Sequence, residues 1–269
     1  MDRANRLRLS RDGTLAGDVE TLGRLLASAR RVVALTGAGL SVESGIPDFR
    51  SPGGLWSVFD PMEYATLSCF LRSPAKAWEL YRALGASIAG REPNAGHRAL
   101  ARLEREGLLA GIVTQNIDGL HRAAGSETVI EIHGEGRNLE CTVCRAIEPL
   151  LAAHLEPGPP PRCAACGSPL KPNVVLFEEP VREMARARAL VAGASAMLVV
   201  GTSAEVAPAG SLPGDVLEGG GSLVEFNLAP TRRTEAGLGP SGFFVEGPAG
   251  RTLPAVVDAA LKARAREMA

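Results

Sequence analysis

Six short apolar runs constrain this chain most: VVAL at 32–35, GIVT at 111–114, VIEI at 129–132, MLVV at 197–200, LVEF at 223–226 and FFV at 243–245. Most stop abruptly in small or polar residues, and such runs without polar alternation are expected to be strands buried on both faces. Helical patterns separate them. Residues 18–29 carry Val19, Leu22, Leu25 and Leu26 at helical spacing, and further helices are expected over 95–105 and 181–192. A last helix is expected from about Pro254, where a missing amide hydrogen is harmless in the first turn. Buried strands joined by helices predict an α/β protein with a Rossmann-like, doubly wound parallel sheet.

Two stretches interrupt the alternation. Residues 52–93 hold short helix-like pieces and both tryptophans, Trp56 and Trp78, and are expected to form a helical cap over one side of a cleft. Residues 136–171 hold two C-x-x-C pairs, Cys141/Cys144 and Cys163/Cys166, around a GPPP tract that suits neither helix nor central strand. Each thiolate pair can grip one edge of a tetrahedron, so a small inserted module built on one structural zinc ion is expected. Four sulfurs leave no position for a reactive water; buried free thiols or a four-sulfur iron site are the alternatives.

Charge excludes other classes. Lys and Arg number 29 against 30 for Asp and Glu, which argues against a polybasic nucleic-acid binder. Aromatic residues at 4% leave few platforms for stacked bases, so no direct nucleic-acid binding is expected. No apolar run reaches the length of a membrane span and no signal-like start appears, so a cytoplasmic location without membrane attachment is expected. The arginine-rich start is expected to be a frayed, solvated extension over residues 1–17, dispensable for catalysis.

The loop after the first apolar run, TGAGLSVESGIPDFRSPGGLW, has glycines that let backbone amides approach a diphosphate. It is not the ordinary dinucleotide fingerprint, because Val42 stands where the third glycine belongs. TQNIDGLH at 114–121 places Gln115, Asn116 and Asp118 at the C-terminal edge of the sheet, where this fold class binds ligands. Gly201, Thr202 and Ser203 follow one strand and Asn227 another, which fits the rest of a dinucleotide crevice. His133, before Gly134, is expected to face the same cleft, and its imidazole can accept a proton at neutral pH. His97 lies in a helix and His154 in the inserted module, while His121 either packs or caps.

These residues resemble one family, the NAD-dependent sirtuin protein deacylases. The resemblance spans about residues 19–259 and rests on GAGLSVESGIPDFR, TQNIDGLH, the His133–Gly134 pair, both cysteine pairs, KPNVVLFEE, GTSAEVAPAG and NLAPT. It implies one catalytic domain over 18–269, with a Rossmann-like core (18–53, 94–135, 172–269), a helical cap (54–93) and a zinc module (136–171). It implies that NAD is bound by Gly37, Ala38, Gly39, Ser41, Pro47, Asp48, Phe49, Arg50, Trp56, Gln115, Asn116, Ile117, Asp118, Gly201, Thr202, Ser203, Asn227 and Leu228, with Ala249 near the adenine. His133 is implied as the catalytic base, with Asn116 and Asp118 orienting the ribose and nicotinamide side.

The reaction so implied consumes NAD. Nicotinamide leaves, the acyl-lysine oxygen attacks the anomeric carbon to form an imidate, His133 deprotonates a ribose hydroxyl that attacks the imidate carbon, and water completes the release of free lysine and 2'-O-acyl-ADP-ribose. Val174, Val175, Phe177 and Glu178 would hold an extended acylated peptide through backbone groups that the strand leaves free. Glu178 stands where the family commonly has glycine, which adds a charge and removes left-handed backbone freedom. Members that act on dicarboxylic acyl groups carry a tyrosine followed three residues later by arginine. Here Tyr81 is followed by Leu84, so acetyl or longer apolar acyl groups are expected to be preferred over succinyl and malonyl. Mono-ADP-ribosyl transfer, a non-catalytic NAD-binding zinc module and a redox dehydrogenase are the alternatives; oligomeric state is open, with a monomer favoured.

Overall fold

The computed structural model describes residues 6–51 and 53–268. Its strands are β1 (Arg6–Leu9), β2 (Leu15–Ala16), β3 (Val32–Thr36), β4 (Ile112–Thr114), β5 (Val129–Glu131), β6 (Gly134–Cys141), β7 (Ile147–Pro149), β8 (Leu170–Val174), β9 (Ala196–Val200), β10 (Ser222–Asn227) and β11 (Phe243–Glu246). Eight form one sheet in the order β2-β1-β11-β10-β9-β3-β4-β5, parallel throughout except for the β1–β2 hairpin. From β3 the chain moves to β4 and β5 on one side, then returns to build β9, β10 and β11 on the other. The strand order therefore reverses between β3 and β9, and in an open α/β sheet that is where a crevice opens beyond the strand ends.

The helices are α1 (Val19–Ser28), α2 (Pro61–Tyr64), α3 (Leu67–Arg72), α4 (Pro74–Ile88), α5 (Ala95–Arg105), α6 (Leu120–Ala123), α7 (Ala152–Leu155), α8 (Met184–Val191), α9 (Leu212–Glu218), α10 (Arg232–Ala236) and α11 (Ala249–Met268). Alternation along β3 explains its unbroken apolar run. Val32 and Ala34 pack into the core formed with α1, α5 and α11, whereas Val33 and Leu35 pack into the opposite core with α8 and α9. Both faces are thus covered, as the doubly wound reading requires. A third core joins the helical cap to the inserted module, with Phe70, Trp78 and Tyr81 packed against Leu139, Leu170 and Leu176. The Trp78 indole N–H donates to the Leu170 carbonyl at 2.8 Å, fixing cap to module.

The module is a three-stranded antiparallel sheet in the order β7-β6-β8. Its base is an ion cluster that the sequence did not announce. Lys171 is fully buried, its ammonium 3.0 Å from Glu179 and 3.6 Å from Glu140, and it also donates to the Val174 carbonyl at 2.7 Å. Glu140 is further paired with Arg182 at 2.5 Å and Arg145 at 2.7 Å.

Two expectations are corrected. From Arg6 onward the N-terminal segment is not frayed: β1 pairs in parallel with β11, Leu7 is fully buried, and Arg6 and Arg8 both pair with Glu246. The alternation RLRL, with arginine outward and leucine inward, is that of a strand with one face on the core, and only the two-residue β2 lies between it and the sheet edge. The last helix begins at Ala249 rather than near Pro254, which lies inside it. Its early start is supported from far away in sequence, since the Glu43 carboxylate accepts the Gly250 N–H at 2.5 Å. Among the described residues no helix is long and apolar enough to cross a membrane.

Candidate functional site

The crevice is built first from backbone. After β3 the chain makes two short 3-10 turns, Ala38–Leu40 and Val42–Ser44, directly against the turn that follows β9. The Gly39 N–H donates to the Gly201 carbonyl at 2.9 Å, and Gly201 has φ of +60°, with a would-be Cβ 2.3 Å from the Leu40 nitrogen. Only glycine permits that contact. Asn94, the N-cap of α5, donates to the Leu40 carbonyl at 2.7 Å and to Ser44 Oγ at 3.0 Å, so it braces the glycine loop from beneath. Sequence reading passed over Asn94; the N-x-x-H signature of its capping box, closed by His97, was the available signal.

Polar side chains from four strand ends then meet. Ser41 Oγ donates to Asp118 at 2.6 Å, while Asn116 Nδ2 reaches Ser41 Oγ at 3.2 Å and the Gly37 carbonyl at 3.1 Å. Gln115 Nε2 donates to Thr202 Oγ1 at 2.9 Å, tying the turn after β4 to the turn after β9. Asn227 Nδ2 approaches the Thr202 carbonyl at 3.5 Å, and its own Oδ1 accepts the Leu228 N–H. Leu228 itself is exposed. Asp118 also accepts the Leu120 N–H, so one carboxylate both holds the first amide of α6 and partners Ser41.

His133 lies in the turn between β5 and β6, half-buried, with Nδ1 3.1 Å from the Gln115 carbonyl. A carbonyl can only accept, so Nδ1 carries the proton and Nε2 presents its lone pair. Burial lowers the pKa of this imidazole, the Gln115 bond opposing the shift, so the ring is neutral at neutral pH. The turn depends on Gly134, at φ +81°, whose would-be Cβ lies 2.2 Å from the Asn173 carbonyl oxygen. The other two histidines of the core are different. His121 is buried and bonded through Nε2 to Thr36 Oγ1 at 2.8 Å, and burial pushes its pKa down to about 3. His97 stacks edge-on against it at 5.0 Å and is pushed down to about 4, again chiefly by burial. His121 therefore packs, one of the two options open for it.

Residues 47–51 and 53–56 follow the glycine loop as one rim of the crevice. The Asp48 carboxylate is spent on the loop itself, accepting from the amides of Arg50 and Ser51 and from Ser51 Oγ. Phe49 and Trp56 lie ring to ring at 5.0 Å, joined by a backbone bond from the Trp56 amide to the Phe49 carbonyl. Pro47 and Arg50 are exposed on this rim. At the far end Ala249 opens α11, buried, beside Leu40 and Gly96. Ile117 is half-buried, and its carbonyl accepts the Gly136 N–H at 2.9 Å.

The segment after β8 runs past His133 but is less open than expected. The Val175 N–H donates to the His133 carbonyl, the Leu176 N–H to Glu179 and the Phe177 N–H to the Ala65 carbonyl, so these amides are already used. Val174 is buried, whereas Phe177 is 40% exposed. Glu178 keeps a left-handed backbone, φ +77°, despite its side chain, contrary to the loss of that freedom expected for a non-glycine residue. In the module the four cysteine sulfurs lie within 4.8 Å of one another, with Cys141–Cys166 at 3.6 Å and Cys144–Cys163 at 3.5 Å. A tetrahedron with metal–sulfur bonds of about 2.3 Å has edges of about 3.8 Å, so the donor set fits one tetrahedral ion. A separate cleft of ≈ 680 Å³ lies behind Gly134, but its Arg122, Arg145 and Arg182 are paired with Glu131 and Glu140. The chemistry gathers in the switch-point crevice instead.

Comparison with known proteins identifies relatives of this chain. A family model, the Sir2 family, matches residues 37–208. An NAD-dependent protein deacylase of Pyrococcus abyssi is 42% identical over 247 residues, covering 88% of this chain and 95% of its own. A Sir2 homologue solved as a complex with NAD superposes with a TM-score of 0.83 at 39% identity, covering 91% of this chain and 94% of its own. A Sir2 protein bound to a myristoylated histone peptide superposes with a TM-score of 0.76 at 31% identity, covering 96% of this chain and all of its own.

Proposed function

The chain belongs to the Sir2 family, and we infer from this that it is an NAD-dependent protein-lysine deacylase, passing the acyl group of a modified lysine to ADP-ribose with release of nicotinamide. When bound, NAD supplies the glycosidic bond that is broken and the ribose hydroxyl that accepts the acyl group. The residues of this chain do the rest. The backbone of Gly37, Ala38 and Gly39 and the turn Gly201–Ser203 cradle the diphosphate, and Ala249 borders the adenine, on the support of the switch-point geometry. Ser41, Asn116 and Asp118, already bonded to one another, hold the ribose and nicotinamide side in one orientation. Phe49 and Trp56 shield the reacting end from water.

One observation carries the reading. His133 is held through Nδ1 by the Gln115 carbonyl, which leaves Nε2 unprotonated beside the same strand end that supplies Gln115, Asn116 and Asp118. That is the arrangement of a general base poised to take a proton from a hydroxyl. The acylated peptide would lie along residues 174–178. Among the described residues, the Val175 carbonyl and the Glu178 amide find no protein partner and are the groups available to it. Tyr81 is buried edge-on against Trp78 and Leu84 supplies no cation, which supports acetyl or longer apolar groups over succinyl. Cys141, Cys144, Cys163 and Cys166 would hold one structural Zn²⁺.

Incubating the protein with NAD and an acetyl-lysine peptide tests the assignment. Mass spectrometry should detect nicotinamide and 2'-O-acetyl-ADP-ribose, and His133→Ala should lower kcat by about 10²–10⁴-fold. Unchanged turnover in the variant would overturn the role of His133, and label retained on the protein would point to ADP-ribosyl transfer.

A further inference from the structure

Glu178 does something that its backbone resists. A non-glycine residue at φ +77° pays a steric penalty, so the conformation persists because other contacts hold it. Those contacts are to another element. One carboxylate oxygen, Oε2, accepts both the Ser68 N–H at 2.8 Å and Ser68 Oγ at 2.6 Å. Ser68 is the second residue of α3. The amide before it, Leu67, donates to the Phe177 carbonyl at 3.0 Å, and the amide after it, Cys69, donates to Thr66 Oγ1 at 3.0 Å. All three first-turn donors of this cap helix are therefore satisfied, two of them by residues 177 and 178. Phe177 also pairs with Thr66 as an isolated parallel bridge.

The second carboxylate oxygen has no protein donor among the described residues, and the side chain is exposed. Arg72, in the last turn of the same α3, carries a positive charge that favours the ionised form of Glu178. The rim formed by exposed Phe177 and Glu178 is thus apolar with one fixed negative charge.

We propose that Glu178 is a positioning and specificity residue: it fastens α3 to the peptide-facing segment 174–178 and selects acyl-lysines flanked by Lys or Arg over those flanked by Asp or Glu. The proposal deepens the deacylase reading and rests on it for one point, that this segment receives the peptide. The charge acts on the residues beside the acyl-lysine, and the clamp acts on the groove as a whole.

Two variants separate these parts. Glu178→Gln keeps an acceptor for Ser68 but removes the charge; Glu178→Gly removes both and relieves the left-handed backbone. Rates of nicotinamide release are measured with acetyl-lysine peptides carrying Lys or Glu at both neighbouring positions. In the wild type the Lys-flanked peptide should have a kcat/KM about fivefold higher at low salt, falling as salt is raised. Glu178→Gln should bring the ratio below about twofold with an unchanged Tm. In Glu178→Gly the peptide KM should rise for both peptides while the KM for NAD stays, and Ser68→Ala should show a smaller rise of the same kind with the charge preference intact. A charge preference that survives Glu178→Gln, or that the wild type lacks, overturns the Glu178 assignment alone. Absence of nicotinamide release with every peptide overturns the deacylase reading as well.

Discussion

Three histidines of this chain show how position decides chemistry. His133 is half-buried and tied by one nitrogen, so it remains a usable base; burial holds its pKa below the ordinary 6.5, and the rate should rise with pH only through that lowered value and stay level above it. His97 and His121 are buried neutral beneath the crevice, at about 4 and about 3. In the unfolded chain both titrate near 6.5, so between that pH and about 3 the unfolded state binds more protons than the folded one. Their stabilising contribution is complete above pH 6.5 and is lost as the pH falls toward 3 to 4. Thermal unfolding followed across pH 7 to 4 should show a falling Tm, and His121→Gln should flatten the slope; an equal slope in the variant would contradict this. Lys171 is a different kind of buried charge. Lys171→Met should strand the Glu179 carboxylate and cost about 3 kcal/mol in urea unfolding.

The elements carry the supports for the site. Chelation of the proposed Zn²⁺ should loosen the β7-β6-β8 sheet, and because β8 leads straight into the segment proposed to receive the peptide, the KM for peptide should rise more than the KM for NAD. Equal effects on both would argue against the module acting through β8. Deleting residues 1–17 should lower stability by about 2–3 kcal/mol in urea unfolding, since it removes the buried Leu7 and the β1–β2 hairpin that pairs with β11. The sheet was legible because β3, β9 and β10 are apolar on both faces, and the cysteine module because paired ligand spacing is independent of the surrounding fold. The N-terminal strand was not, because four residues of Arg–Leu alternation resemble a charged tail until a partner strand is known. The start of α11 was hidden for a related reason: its cap, Glu43, comes from a loop 207 residues away. Of the candidate site, Gln115, Asn116, Asp118 and His133 were legible as polar residues at strand ends, and Ser41 only through the family resemblance. Asn94 and the Ser68–Glu178 clamp were not, since each acts through a contact between distant segments.

At the scale of the whole molecule, a single reversal of strand order explains where the chemistry sits. It brings the loops after β3, β4 and β9 to one crevice and leaves the cap and the cysteine module, which share a core of their own, to form its outer wall. Residues 174–178 run between His133 and the cap, so on the proposed reading nucleotide and acyl-lysine are expected to meet at one imidazole. The stoichiometry of products tests this most directly. With NAD and an acetyl-lysine peptide, nicotinamide, deacetylated lysine and 2'-O-acetyl-ADP-ribose should appear in equal amounts, and nicotinamide should not accumulate when the peptide is omitted. Nicotinamide release that proceeds equally without the peptide, or lysine freed without consumption of NAD, would contradict the account.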